Sequence, residues 1–239
     1  MPTVALYEPL DTLQAVDTDL YVVDGPAIRF KGMPFPTRMT VARLGPELWI
    51  HSPIPLADPL RSALARLGEV RHVVAPNTLH YWWVPDWKAA YPDARVYAPL
   101  GVSERAKREL VVDEVLGTEA PAAWRGAFDQ VIVAGRILTE AVFFHRASRT
   151  VVLSDLIENF EPSRIASRPL RWLLHIAGCL DPDGKAPIDM RWSFMGRRAM
   201  LRAAVDRMLA WNPERVILAH GRWYDRDGRA ELERAFRWV

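Results

Sequence analysis

The chain has 239 residues, half of them hydrophobic and a quarter charged, the proportions of an ordinary globular protein. Its formal net charge of +2 is spread along the sequence, so the basic stripe of a nucleic-acid binder is missing. No apolar run reaches membrane-spanning length, and a single cysteine, Cys179, excludes an internal disulfide. The start, MPTVALYEPLDTLQ, lacks the basic and apolar segments of a secretion signal. The expectation is a cytoplasmic protein with no nucleic-acid partner and no membrane span, forming one domain over residues 1–239.

The predicted elements begin with short strands at Leu13–Val16 and Leu20–Val23. The proline- and glycine-bearing stretch GPAIRFKGMPFPTR reads as a loop. Met39–Leu44 and Leu48–His51 form a hairpin about Gly45-Pro46. Asp58–Leu67 is a helix, with Leu60, Leu64 and Leu67 on one face and a proline in its first turn. Val70–Ala75 is a strand, Pro85–Ala90 a short helix, Arg95–Ala98 a strand and Ser103–Leu110 a helix. This rhythm predicts parallel strands with helices outside them.

The pattern then changes. Gln130–Val133, Ala141–His145 and Thr150–Ser154 follow one another through short turns, as antiparallel strands do. Phe160–Arg191 is irregular around an apolar segment, Leu170–Ala177. Ser193–Trp211 is a helix with a Leu201, Val205, Met208, Leu209 stripe. Val216–Ala219 is the last strand and Asp227–Val239 the last helix.

Three strand ends carry polar residues. HVVAPNTLHYWWVPD delivers Asn77, His80, Trp82 and Trp83; TVVLS leads into Asp155; VILA leads into His220-Gly221. Open α/β sheets place chemistry at such ends. His80, Asp155 and His220 supply the three protein ligands that a catalytic zinc takes, and they also suit iron or manganese.

The organisation resembles the metallo-β-lactamase fold, a four-layer αββα sandwich, from about Leu20 to the C-terminus. The resemblance implies a site along one edge and an α/β fold of that type. VLSD ending at Asp155 is similar to the fold's strand-to-aspartate step, and LAHG with His220 to its final histidine segment. HVVAPNTLH stands in place of the His-x-His-x-Asp-His hallmark. With His80 on the second histidine, Thr78, Trp82 and Trp83 occupy the other positions. With Asn77 placed first, Leu79, Tyr81 and Trp82 occupy them. Residues Leu138–Glu140 fall where the intermediate histidine belongs, and Glu140 is the ligand type among them. The HSP, PN-x-x-H, FFHR-x-SRT and SD motifs are similar to those of a branch labelled only as a domain of unknown function.

These residues give two functional readings. One is a hydrolase-like enzyme with one zinc, iron or manganese ion, attacking a small ester, thioester or phosphoester. The other is a non-catalytic descendant that has lost or reduced the metal site and binds a ligand or protein. His51 is a candidate proton carrier or a plain strand-end histidine. Asn77 either caps a turn or orients a ligand. Trp82 and Trp83 either wall a substrate pocket or pack. His145 reads as a structural histidine, His72 and His175 have no evident partner, and Asp86 and Glu158 read as solvated or paired with arginine. Cys179 reads as a packing cysteine. Leu170–Ala177 forms a lid, a homodimer contact or a packed loop.

Overall fold

The computed structural model describes residues 4–30 and 32–239. Residues 1–3 of the N-terminal stretch and Lys31 of the Gly25–Arg38 stretch lie outside the described residues.

Seven strands form the first sheet in chain order: β1 (Gln14–Asp17), β2 (Leu20–Phe30), β3 (Met33–Leu44), β4 (Glu47–His51), β5 (Glu69–Val74), β6 (Arg95–Pro99) and β7 (Glu114–Leu116). β1 to β4 run antiparallel, and β4 to β7 run parallel. Helices α1 (Asp58–Leu67), α2 (Val84–Ala90) and α3 (Val102–Arg105) make the crossovers. The second sheet is β8 (Phe128–Ala134), β9 (Thr139–His145), β10 (Thr150–Val152) and β11 (Arg215–Ile217), ordered β11-β10-β9-β8. Only the β10–β11 pairing in it is parallel. Helices α4 (Arg168–Ala177), α5 (Ile188–Ser193), α6 (Arg198–Ala210) and α7 (Gly228–Ala235) complete the chain.

Strand alternation turns these elements into four layers. In β4, Leu48 and Ile50 face α1 and α2, whereas Trp49 faces the second sheet. In β9, Ala141 and Phe143 meet Trp49, Trp124 and Phe128 between the sheets. Val142 and Phe144 face the opposite way, onto Leu201, Val205 and Met208 of α6 and Leu232 of α7. The order is therefore helices, sheet, sheet, helices. Among the described residues no helix is long and apolar enough to cross a membrane.

Four expectations need correction. The Gly25–Arg38 stretch is not a loop: it continues β2 into β3 as the longest hairpin of the fold. Its prolines sit where the ladder tolerates a missing donor, and a register irregularity between Gly25 and Ile28 absorbs Pro26. The Ser103–Leu110 helix stops at Arg105, because Ala106 turns extended and the Tyr81 hydroxyl takes the Lys107 N–H at 2.6 Å. Phe160–Arg191 contains α4 and the start of α5; Ser167 caps α4 and Gly178, at φ +82°, ends it. The Ser193–Trp211 helix starts only at Arg198, since Gly196 is left-handed at φ +75°.

Candidate metal centre and its cavity

Past the ends of β5, β10 and β11, His80, Asp155 and His220 converge. One ligand atom from each lies within 4.8 Å of the others. His80 Nε2 is 3.2 Å and His220 Nε2 3.5 Å from the same oxygen, Asp155 Oδ1. A tetrahedral ion with ligands at about 2.1 Å sets them about 3.4 Å apart, so the donor set fits such an ion with little movement.

Each donor is held from behind. His220 Nδ1 is 2.7 Å from the Pro36 carbonyl, and as its N–H donor leaves a lone pair on Nε2. The Phe35 ring meets the His220 ring edge-on at 5.3 Å. Buried Arg38 donates to the carbonyls of Leu218 and Gly221 at 3.0 and 2.7 Å, and pairs with Asp24 at 2.7 Å. The segment carrying His220 is thus clamped by the first half of β3, the part that reads as loop in the sequence. Gly221 follows at φ +87°, and a Cβ there would lie 2.1 Å from the Asn159 carbonyl oxygen. Only glycine fits.

Asn77 both caps and orients. Its Oδ1 accepts the backbone N–H groups of Leu79 and His80 at 2.8 and 2.9 Å, forming the turn that presents His80. Its amide donates to Asp155 Oδ2 at 2.7 Å, Glu140 Oε2 at 3.0 Å and Ser154 Oγ at 3.1 Å. Glu140 is not in the convergent trio. Fully buried, it accepts the N–H groups of Ser154 and Asp155 at 2.8 and 2.9 Å and so fixes the Asp155 backbone. Burial and then Asp155 raise its carboxyl to about 7, against the N–H bonds. Burial also pushes Asp155 up, but His80 and His220 outweigh it and hold Asp155 well below the usual carboxylate range. For His80 burial acts downward, and Asp155 and Glu140 outweigh it and raise the imidazole.

Ser52 is the site residue that sequence reasoning missed. Its Oγ is 2.6 Å from His80 Nδ1 and 3.4 Å from the Arg38 carbonyl. Its left-handed backbone, φ +55°, aims it there. That strained HSP turn is the signal a sequence could carry. His51 does not line the cavity. It stacks on Trp49 at 5.5 Å, meets Phe143 edge-on, and its buried Nε2 has no hydrogen-bond partner among the described residues. Burial, then His80, lower it to about 3.

The trio sits at the base of a cavity of about 760 Å³. Trp82 and Trp83 both line it. Trp83 also packs on the α1–α2 core, whereas Trp82 is 46 % exposed at the mouth. Arg108 braces Trp82, lying 5.6 Å from its ring, donating to its carbonyl and gripping Asp86. Glu158 departs from expectation: it is buried in the cavity wall, where the Cys179 thiol meets it. Burial raises Glu158 to about 7. Elsewhere His145 Nδ1 meets Ser148 Oγ at 2.8 Å, and His72 lies between Tyr97 and Glu47.

No curated protein matches the chain in sequence. Solved structures share its fold. A DIM-1 metallo-β-lactamase exposed to ceftazidime superposes with a TM-score of 0.65 over 99 % of each chain, at 14 % identity. A metallo-β-lactamase from Pontibacter korlensis does so at 0.59, covering 95 % of this chain and 96 % of its own, at 9 % identity. The metal-soaked Flv1 flavodiiron core from Synechocystis sp. PCC6803 gives 0.65 at 11 % identity, over 99 % of this chain and 61 % of that one. At these identities the likeness is one of fold. The family described as "Domain of unknown function (DUF4336)" matches residues 29–175, which include His51, Asn77, His80 and Asp155 and stop short of His220. This chain, an αββα sandwich of the metallo-β-lactamase type, belongs to that family.

Proposed function

We propose that this protein is a metal-dependent hydrolase-like enzyme with a reduced, mononuclear site, in which His80 Nε2, Asp155 Oδ1 and His220 Nε2 hold one zinc, iron or manganese ion. The carrying observation is the spacing of those three atoms around one carboxylate oxygen. Such an ion supplies Lewis acidity, acidifying a bound water and polarising the bond to be broken in a small ester, thioester or phosphoester. The chain's own residues supply orientation. Ser52 Oγ accepts His80 Nδ1–H and passes its own hydrogen toward the Arg38 carbonyl, which leaves Nε2 free to ligate. Asn77 fixes both the His80 turn and Asp155 Oδ2. His51, neutral and enclosed by aromatic rings, acts as a wall behind Ser52 rather than as a proton carrier. Trp82 and Trp83 wall the small-molecule substrate. The lone cysteine suits a reducing compartment such as the cytoplasm.

Ser52, His80 and Asp155 also have the connectivity of a nucleophile, base and carboxylate. The usual oxyanion donors are missing, however. The Ser52 N–H is spent on the Val74 carbonyl at 3.1 Å, and Pro53 has no N–H. Ser52 is therefore assigned to orientation.

Metal analysis of protein purified without chelator tests the reading. About one ion per chain is expected, and none in the His80→Ala/Asp155→Ala/His220→Ala variant. Equal, near-zero metal in both overturns it. The non-catalytic reading is favoured by Asn77, Thr78 and Trp82 standing in the stretch that carries the fold's metal hallmark. It predicts no chelator-sensitive turnover on a panel of esters, thioesters and phosphoesters.

A further inference from the structure

The cavity is graded from base to mouth. The His80, Asp155 and His220 trio is buried or half-buried at its base. Apolar side chains such as Met33, Phe35, Ile54, Leu174 and Met190 make most of the wall. Its mouth is apolar as well: Leu79, Trp82, Leu173 and Ile188 line it, and between 37 and 48 % of each is exposed. Folding gives no reason to leave four large hydrophobic side chains around one opening. Among them stand three exposed cations, Arg29, Arg105 and Lys107. None of the three forms an ion pair among the described residues, although most other ion pairs of the fold are made by arginine. Among the described residues the Arg105 side chain donates only to the Ile137 carbonyl, at 3.1 Å. Of the carboxylates that line the same cavity, Asp155 and Glu158 are buried; Asp189 is exposed, and the three cations outnumber it.

We infer that the cavity takes an amphiphilic anion: an extended apolar body along the wall, with a carboxylate or phosphate held at the mouth by Arg29, Arg105 and Lys107. Resting on the hydrolase reading, this puts the labile bond at the opposite end of the ligand, beside His80, Asp155 and His220. A volume of about 760 Å³ accommodates such a ligand. Carboxylate and phosphate share the chemistry that the guanidinium and ammonium groups recognise.

Binding to chelator-treated protein separates this inference from the metal reading. Decanoate, decyl phosphate and 1-decanol are titrated below their aggregation concentrations, with tryptophan fluorescence as the readout. Both anions should bind, and the alcohol at least about tenfold more weakly, the scale of one charge-assisted contact at a wet rim. Which anion binds more tightly names the headgroup. Arg29→Ser/Arg105→Ser/Lys107→Ser, all at exposed positions, should bring anions and alcohol to equal affinity. Leu174→Trp, which fills the wall, should weaken all three ligands. Equal binding of anion and alcohol by the unmodified chain overturns the inference, as does no binding at all or a preference that survives the triple substitution. A chain that binds these anions but no metal would sink the hydrolase reading and keep this one.

Discussion

The base and the mouth of the cavity are built on opposite terms. At the base, Asn77, Glu140, Ser154 and Asp155 satisfy one another, Pro36 and Ser52 hold the imidazoles, and Arg38 clamps the segment that carries His220. At the mouth, Trp82, Leu173 and Ile188 are exposed, and Arg29 and Lys107 form no ion pair among the described residues. A donor set must be fixed before an ion arrives, because a half-satisfied buried network costs more than an apolar one. A rim that selects a ligand has no such requirement, since water solvates it until the ligand comes. Substitutions at the base should therefore be felt in folding, and those at the mouth only in binding.

Glu140→Ala should break the contrast most severely. It leaves the buried N–H groups of Ser154 and Asp155 without acceptors, at about 1–3 kcal/mol each, and opens a void. A loss of roughly 3 kcal/mol or more is expected in urea denaturation, together with loss of metal. An unchanged midpoint would show that the base is not built as described.

Next is Glu158→Gln, read against pH. The carboxyl titrates near 4.5 in the unfolded chain and about 7 when folded. The folded state thus holds more protons between those values. Glu158 contributes fully below about pH 4.5, and the contribution is lost as pH rises through about 7. Chelator-treated Gln variant should be the more stable of the two at pH 8, by an amount on the order of 3 kcal/mol at most, with a flatter profile between pH 5 and 7. Parallel profiles for the two chains would place Glu158 in contact with water.

The sequence shows some of this base and hides the rest, for a physical reason. Asp155 and His220 follow short apolar runs, so their place at strand ends is legible, and His80 follows the Pro76-Asn77 turn. Trp49 and Phe143 stand in continuous apolar runs whose flanking residues are equally buried, so a sheet covered on both faces is legible, but which residue faces which layer is not. Arg38 and Pro36 are not legible, because the prolines of β3 read as loop until β2 is seen pairing around them. Ser52 and Glu140 act only through partners far along the chain, at His80 and Asp155. No local spacing records such a contact. The α4 signals, Ser167-x-Pro169 and Gly178, are present in the sequence but are outweighed by the prolines around them.

Ser52→Ala tests the base more gently. The variant loses one hydrogen bond to His80 and keeps the fold, so stability should fall by about 1 kcal/mol. Metal affinity should fall about 10- to 100-fold, because the His80 tautomer is no longer set. Competition with a chromophoric chelator measures it. Wild-type affinity in the alanine variant would leave the HSP turn with no part in ligation.

Trp82→Ala should have the smallest effect on the protein itself. Nearly half of the residue, 46 %, is already exposed, and its ring is held by Arg108, whose cation–π contact at such a site is worth about 0.5–1 kcal/mol. The urea midpoint should move by no more than that, and metal content should not change. Arg108 keeps its two bonds to Asp86, so the braced segment stays in place. What should change is the affinity for decanoate, which loses an apolar wall at the opening. If truncating Trp82 instead unfolds the chain or empties the metal site, the mouth is part of the folded base, and the division between the two ends of the cavity fails.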